Sequence, residues 1–432
     1  MLEKLKVKNP IDPFWLISSA SVFSYLVMTI CVKSGFSYGI AILWVVGLIH
    51  FVCRSKQGFL WDGSYLLSTY LFYFLVSILI NVYHQDILRE YDLPLRFLLA
   101  IPVIYLLMKL IVPGNIFWYG LFLGAYLGFF SIVSIREQML NGETTRGVAH
   151  LGNMSMIMGL MSFAGWRWAV QRDRLKWTCL LFVIFAGMAG VTGSILSGTR
   201  GSWVAVPLVL MIYLFDVAKH LGWSTLRLVA LALISAISIL VLASQSQIFM
   251  HRFDRAVMEA KMILNPSSSN QERMEDTSIG ERWLMWGNAI HMIREKPLFG
   301  WGRKGYIEYK NKRIIDGEVY PQIAKFTDAH NDYIDILVKK GVIGLTALMA
   351  IFLVPLSIFY RRTCNSGADQ RAYALCGLVM ILVFMVSGLT STLMTVNMYV
   401  MFYSITVILL FSLSRKPPNI FVGSSEGHDH TR

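Results

Sequence analysis

Charge is the scarcest commodity in this chain. Of its 432 residues only 15% are Asp, Glu, Lys or Arg, while 55% are hydrophobic, and the mean hydropathy is +0.55. That balance excludes a globular domain with a solvated shell and indicates a polytopic membrane protein of all-α class. Cysteine is scarce as well, five in all. Cys31, Cys179 and Cys376 fall within apolar runs and Cys53 and Cys364 at run ends, so no disulfide framework and no cysteine-based metal site is expected. Acidic residues are outnumbered, 26 against 39 basic ones, a formal charge of +13. In a membrane protein this excess reflects basic cytoplasmic loops rather than a nucleic-acid partner. Also missing are an internal repeat and the matched pair of interrupted apolar segments that marks many transporters.

Present instead are long apolar runs. A membrane-spanning helix needs roughly 20 mainly apolar residues, and twelve runs qualify: 14–32, 36–53, 64–83, 93–112, 116–134, 152–170, 177–196, 202–218, 226–245, 333–360, 371–391 and 395–413. The first follows Lys4, Lys6 and Lys8 but is too long for a signal-peptide core and lacks a small-x-small cleavage site, so it reads as an uncleaved span. Lys and Arg accumulate beside alternate span ends, at Arg54/Lys56, Lys109, Arg167/Arg172/Arg174/Lys176, Lys219/Arg227, Arg361/Arg362/Arg371 and Arg415/Lys416. This pattern sets both termini in the cytoplasm. The long segment 246–330, with 13 basic and 11 acidic residues, then faces outward. The expected organisation is nine spans over 1–245, a partly helical outer loop over 246–332, three spans over 333–413 and a disordered tail over 414–432. His428 and His430 on that tail make a weak metal site at most.

Three places on the outer side join a cation or an imidazole to a helix start. In SGTRGSW, Arg200 stands in a short connection, with Ser202 as a candidate cap for the following helix. It suits either an incoming anion or phospholipid headgroups. In the helix opened by Gly280-Glu281-Arg282, the stripe Trp283, Trp286, Ile290, Ile293 predicts a helix lying on the membrane surface or across the bundle mouth. Arg282, in its first turn, suits an anion or a surface salt bridge to Glu281 or Asp276. In Thr327-Asp328-Ala329-His330-Asn331-Asp332, Thr327 or Asp328 serves as N-cap, which puts His330 in the first turn on one face with Tyr333, Ile334, Leu337, Gly341 and Gly344. A helix N-terminus disfavours imidazolium, so His330 reads as a general base or as a structural histidine capping the loop. Asp328, His330 and Asp332 as metal ligands fit less well, because residues two apart on a helix face apart. Lys339 and Lys340, inside the tenth run, suit lipid phosphates or snorkelling to the interface.

The motif His330-Asn331, nine residues, Gly341, two residues, Gly344 resembles the signature of the bacterial O-antigen ligase (WaaL) family, within the wider O-antigen ligase/polymerase superfamily. SGTRGSW is similar to that family's arginine loop, and ERWLMWGNAIHMIREKPLFGWG to the helix and Pro-x-x-Gly-x-Gly turn of its large periplasmic segment. The resemblance implies an inner-membrane glycosyltransferase acting on the periplasmic side. It would move O-antigen polysaccharide from undecaprenyl diphosphate to a sugar hydroxyl of the lipid A core, without metal, cofactor or ATP and with inversion. His330 would be the base and Arg200 and Arg282 the diphosphate ligands; Asn331, Lys339 and Lys340 are further candidate substrate contacts that the resemblance does not itself assign. An O-antigen polymerase using the same donor and a flippase for the lipid-linked sugar are the competing readings.

Overall fold

The computed structural model describes residues 12–54, 63–141, 149–199, 201–224, 226, 227, 230 and 278–415. Arg200, all of the expected span at 226–245 except residues 226, 227 and 230, the stretch 246–277 and the two terminal segments lie outside the described residues. Among those described the chain is all-helical, without a strand. The helices are α1 Pro13–Cys31, α2 Gly35–Arg54, α3 Ser64–Tyr83, α4 Arg89–Lys109, α5 Gly114–Leu140, α6 Ala149–Phe163, α7 Trp166–Val170, α8 Lys176–Ser197, α9 Ala205–Leu221, α10 Ser278–Glu295, α11 Gly302–Ile315, α12 Asp332–Asn365, α13 Ala368–Ser387 and α14 Asn397–Leu413. Nine of the described segments are long and apolar enough to cross a membrane. The chain is a multi-pass membrane protein.

The bundle is built around α14. Every residue from Met398 to Leu413 is buried, and 17 residues at about 1.5 Å each make a pillar roughly 25 Å long. A helix apolar on all sides is a membrane span or the core of a bundle, and here α2, α4, α12 and α13 surround it. Lipid is met farther out, where Val52, Leu79, Phe182, Phe185 and Phe215 are exposed. Without a hydrophobic drive between helices in lipid, close approach of backbones supplies the packing. Gly159 of α6 and Gly190 of α8 meet so closely that a Cβ on Gly190 would lie 2.4 Å from the Gly159 Cα.

Two expectations change at the helix ends. The run 152–170 is not one span: it stops at Phe163 and resumes as the one-turn α7. In α7, Arg167 is buried against Asp216 of α9, Nε to Oδ2 at 2.6 Å, so its charge is spent inside the protein and no longer marks a cytoplasmic loop. Ser202 does not cap the next helix. It lies in a 3-10 turn, Gly201–Val204, and donates to Asn153 Oδ1 at 3.1 Å.

A second, smaller core joins α10, α11 and the first turns of α12 through Ala289, Met292, Tyr306 and Val338. The buried face of α10 is therefore Met285, Asn288, Ala289 and Met292, not the expected stripe. Trp283 and Ile290 are exposed, while Trp286 turns toward α12. Slender Ala289 and Met292 fit against Tyr306 where tryptophan would not.

Candidate active site

The site begins at the start of α12. Asn331 is the N-cap, its Oδ1 accepting from Tyr333 N at 2.9 Å and Ile334 N at 3.0 Å, while its Nδ2 donates to Leu389 O at 2.9 Å. This corrects the expectation of a cap at Thr327 or Asp328. Four cap-competent residues stand in six, Thr327, Asp328, Asn331 and Asp332, and Asn331 prevails because its side chain reaches the free N–H groups of the second and third helical residues. His330 is consequently outside the helix, with φ +48°, and shares no helical face with Leu337 or Gly341. Asn331 is a structural residue here.

What orients His330 is Asp328. The ring Nδ1 lies 2.6 Å from Asp328 Oδ1, which also accepts from the His330 backbone N–H at 2.9 Å and the Thr392 hydroxyl at 3.2 Å. Burial pushes the Asp328 carboxyl up, but the hydrogen bonds from His330 and the charge of Lys339 outweigh it and hold the group well below the usual carboxylate range. An ionised carboxylate can only accept, so this bond assigns the proton of neutral His330 to Nδ1 and leaves the Nε2 lone pair available. Phe326 presses edge-on against the ring, centroids 5.2 Å apart. Asp328, His330 and Asp332 are not arranged as a ligand set. Both Asp332 oxygens accept backbone N–H groups, from Leu393 at 3.1 Å and Met394 at 2.9 Å.

The loop carrying these groups is nailed down by two buried lysines. Lys310 donates to the carbonyls of Ile323, Ala324 and Phe326, and burial lowers its pKa. Lys339 donates to Thr327 O at 3.0 Å and pairs with Asp335 at 2.7 Å. Asp335 in turn accepts Ala329 N at 3.0 Å, and the Trp286 indole donates to Ala329 O at 2.8 Å. The ammonium of Lys339, read from the sequence as a substrate contact, is thus committed to the protein.

The glycines of the two motifs explain each other. α12 is broken at Gly341, φ +67°, and the turn after α10 docks into the break. Val342 N donates to Pro297 O at 2.8 Å and Trp301 N to Val338 O at 3.0 Å, so backbone groups released by the break are satisfied by the turn. A Cβ on Gly341 would lie 2.1 Å from Leu298 O. The same turn is gripped from the α3–α4 connection. His84 Nε2 lies 2.9 Å from Phe299 O, and Asp86 accepts Arg303 N at 3.0 Å at the start of α11.

These elements enclose a cavity of about 1130 Å³, lined by His330, Asp328, Arg282, Lys339 and Lys340 among others. Thr199 and Gly201, the chain neighbours of Arg200, line it too. The described part of α10 starts at Ser278, so Arg282 stands just beyond the first turn and its place on the cavity, not the helix end, qualifies it. Sequence reasoning missed the stretch between α13 and α14, where Thr390, Ser391, Thr392 and Thr395 line the cavity; Thr390, Ser391 and Thr395 fall at the ends of the expected spans 371–391 and 395–413, and Thr392 in the connection between them. A signal was available in four hydroxyl residues within Gly388–Val396. His150, at the start of α6, was missed as well and also lines the cavity.

With this geometry in view, residues 180–349 match the family model described as O-antigen ligase. A protein of Haemophilus influenzae (strain ATCC 51907 / DSM 11121 / KW20 / Rd), described as uncharacterized, is 26% identical over 360 residues, covering 82% of this chain and 88% of its own length. The matched region runs from α8 through the first half of α12 and contains Arg200, Arg282 and His330.

Proposed function

We propose, from the O-antigen ligase domain by which this chain belongs to that superfamily, that the protein is an O-antigen ligase of the inner membrane with its cavity on the periplasmic side. It transfers O-antigen polysaccharide from undecaprenyl diphosphate to a sugar hydroxyl of the lipid A core. The observation that carries this reading is the shared cavity: His330, Arg282 and both neighbours of Arg200 line one space. The acceptor oxygen attacks the anomeric carbon as the bond from that carbon to the diphosphate oxygen breaks, which inverts the centre. The acceptor proton goes to His330 Nε2, and Asp328 holds the ring and stabilises the imidazolium that forms. The leaving diphosphate gains charge as the bond breaks, and Arg282 with Arg200 stabilises it by charge-assisted hydrogen bonds. A free divalent metal has no part in this scheme, so transfer persists in EDTA.

The test is transfer by the purified protein in proteoliposomes that contain polymerised donor lipid and lipid A core. A ladder of glycan on the core supports a ligase. Donor chains that lengthen without any core product identify a polymerase instead, and lipid scrambling without any product identifies a transporter. A deletion strain gives the same division in cells: polymerised glycan retained on its carrier marks a ligase, and lipopolysaccharide capped with a single repeat marks a polymerase.

A further inference from the structure

The cavity wall made by the start of α4, the start of α11 and the first turns of α12 carries four cations, Arg89, Arg303, Lys339 and Lys340. Its acids are already engaged. Glu90 is held by Arg303 at 2.9 Å, Asp335 by Lys339 at 2.7 Å and Asp92 by Arg96 at 2.7 Å. Asp86, beside this wall, accepts the backbone N–H groups of Arg303 and Lys304. Two cations are left over. Among the described residues neither Arg89 nor Lys340 makes a hydrogen bond or an ion pair, although both line the cavity.

Lys340 owes its position to the break in α12. Its stem lies over Gly344, where a Cβ would come within 2.3 Å of the Lys340 Cβ. The second glycine of the motif thus makes room for this side chain beside the cavity. Lys340 is half-buried, with Glu90 and Asp86 nearby but neither within ion-pair distance, so an anion arriving in the cavity would stabilise it; Arg89 is exposed and extends the same wall. Glu90, Asp335 and Asp92 on or beside this wall each have a cation within 3 Å, whereas Asp86 is held by backbone N–H groups alone.

We infer that Arg89 and Lys340 form a second anion subsite that binds a phosphate or carboxylate group of the acceptor glycolipid. The inference rests on the transferase reading above. The donor diphosphate is assigned to Arg282 and Arg200, on α10 and the α8–α9 connection, whereas Arg89 and Lys340 belong to α4 and α12. In an inverting displacement the leaving group and the incoming hydroxyl occupy opposite sides of the reacting carbon. A cation pair outside the diphosphate ligands therefore meets a charge on the incoming molecule. The subsite selects acceptors by charge and holds the hydroxyl within reach of His330, and it takes no part in bond breaking.

The experiment uses full-length wild-type, Arg89→Gln and Lys340→Gln protein in phosphatidylcholine proteoliposomes. Two acceptors are compared, lipid A core and the same material after chemical dephosphorylation and carboxyl reduction. With the native acceptor each variant raises the acceptor KM about tenfold, the effect of one lost charge-assisted contact, while the donor KM and kcat stay near wild type. With the stripped acceptor the variants and wild type coincide. Gly344→Ala, which displaces the Lys340 stem, reproduces the Lys340→Gln phenotype. A rise in donor KM instead would overturn the proposal by reassigning the pair to the diphosphate. Equal losses with native and stripped acceptor would overturn it as well, and so would an effect seen only when phosphatidylglycerol is added, which would make the ligand a lipid headgroup. Should wild type transfer nothing, direct binding of the two core preparations decides the subsite independently. Preference for the native form in wild type, lost in the variants, upholds it; equal binding overturns it.

Discussion

Two arginines of this bundle sit in opposite circumstances. Arg167 is closed on Asp216 by Nε–Oδ2 and Nη2–Oδ1 contacts of 2.6 Å each, with a third bond to the Asp216 carbonyl at 3.1 Å. Its side chain is 5% exposed and that of Asp216 8%. Arg282 lines an open cavity beside His330 and the connection that carries Arg200. A bidentate pair that satisfies itself leaves nothing for a ligand and works as structure. A guanidinium at the wall of a cavity large enough for a sugar diphosphate is placed to receive one, the role proposed above for Arg282. In a membrane protein the meaning of a charge is thus read from whether it is sealed inside the bundle or set on a cavity wall.

The largest effect expected falls on the receptor side. His330→Ala lowers the transfer rate by about 10²–10⁴-fold, the usual weight of a positioned general base, and leaves the melting temperature of the detergent-solubilised protein in place. Proteoliposome transfer rates and thermal unfolding check the two halves. A variant that kept wild-type rates would remove His330 from the mechanism.

The two arginines invert that pattern against each other. Arg167→Ala leaves Asp216 buried and unpaired, which costs about 3–5 kcal/mol and is read as loss of folded protein, with unchanged activity per surviving molecule. Arg282→Lys keeps the charge but loses the two-pronged fork, so stability holds while the donor KM and the rate suffer. If Arg282→Lys unfolded the protein and Arg167→Ala only slowed it, the division between structural and receptor charges would collapse.

Much of the bundle was legible because hydrophobic runs of spanning length leave few alternatives. The runs 14–32, 64–83 and 177–196 became Pro13–Cys31, Ser64–Tyr83 and Lys176–Ser197. The residues gathered at the cavity were partly legible: His330, Arg282 and Lys340 reach it. Local cap geometry was not, because Thr327, Asp328 and Asn331 are equally competent by residue type and only tertiary bonds, such as Asn331 to Leu389, decide among them. Asp328 was legible as a polar neighbour but not as the partner of Nδ1, since that contact needs His330 to leave the helix with positive φ. The mutual lock of Pro297–Gly302 and Gly341 joins segments some forty residues apart, and no periodicity reports such a pairing.

That lock gives a middle-sized prediction. Gly341→Ala places a side chain at φ +67° and within 2.1 Å of the Leu298 carbonyl. The left-handed conformation alone costs about 1–2 kcal/mol, and the turn must shift in addition. Both stability and activity fall, because the turn, Lys339 and the His330 loop rest on one another. This effect lies between those of the two arginines and belongs to neither class. Gly287→Ala in α10, where nothing lies within 4 Å of the added Cβ, serves as the control and is neutral or slightly stabilising.

The smallest effect concerns acid. Asp328 has a folded-state pKa held below its unfolded value of about 3.9. Such a group binds fewer protons folded than unfolded across the interval between the two values. Its contribution to stability is therefore complete above the unfolded pKa and is lost as pH falls through the folded one. Asp328→Asn removes that contribution while keeping the shape. The melting temperature of wild type should exceed that of Asp328→Asn by a constant margin from pH 7 down to about pH 5, and the margin should shrink toward pH 3 and below. A margin independent of pH would mean that Asp328 acts as a neutral hydrogen-bond acceptor, and the assignment of the proton to Nδ1 of His330 would lose its basis.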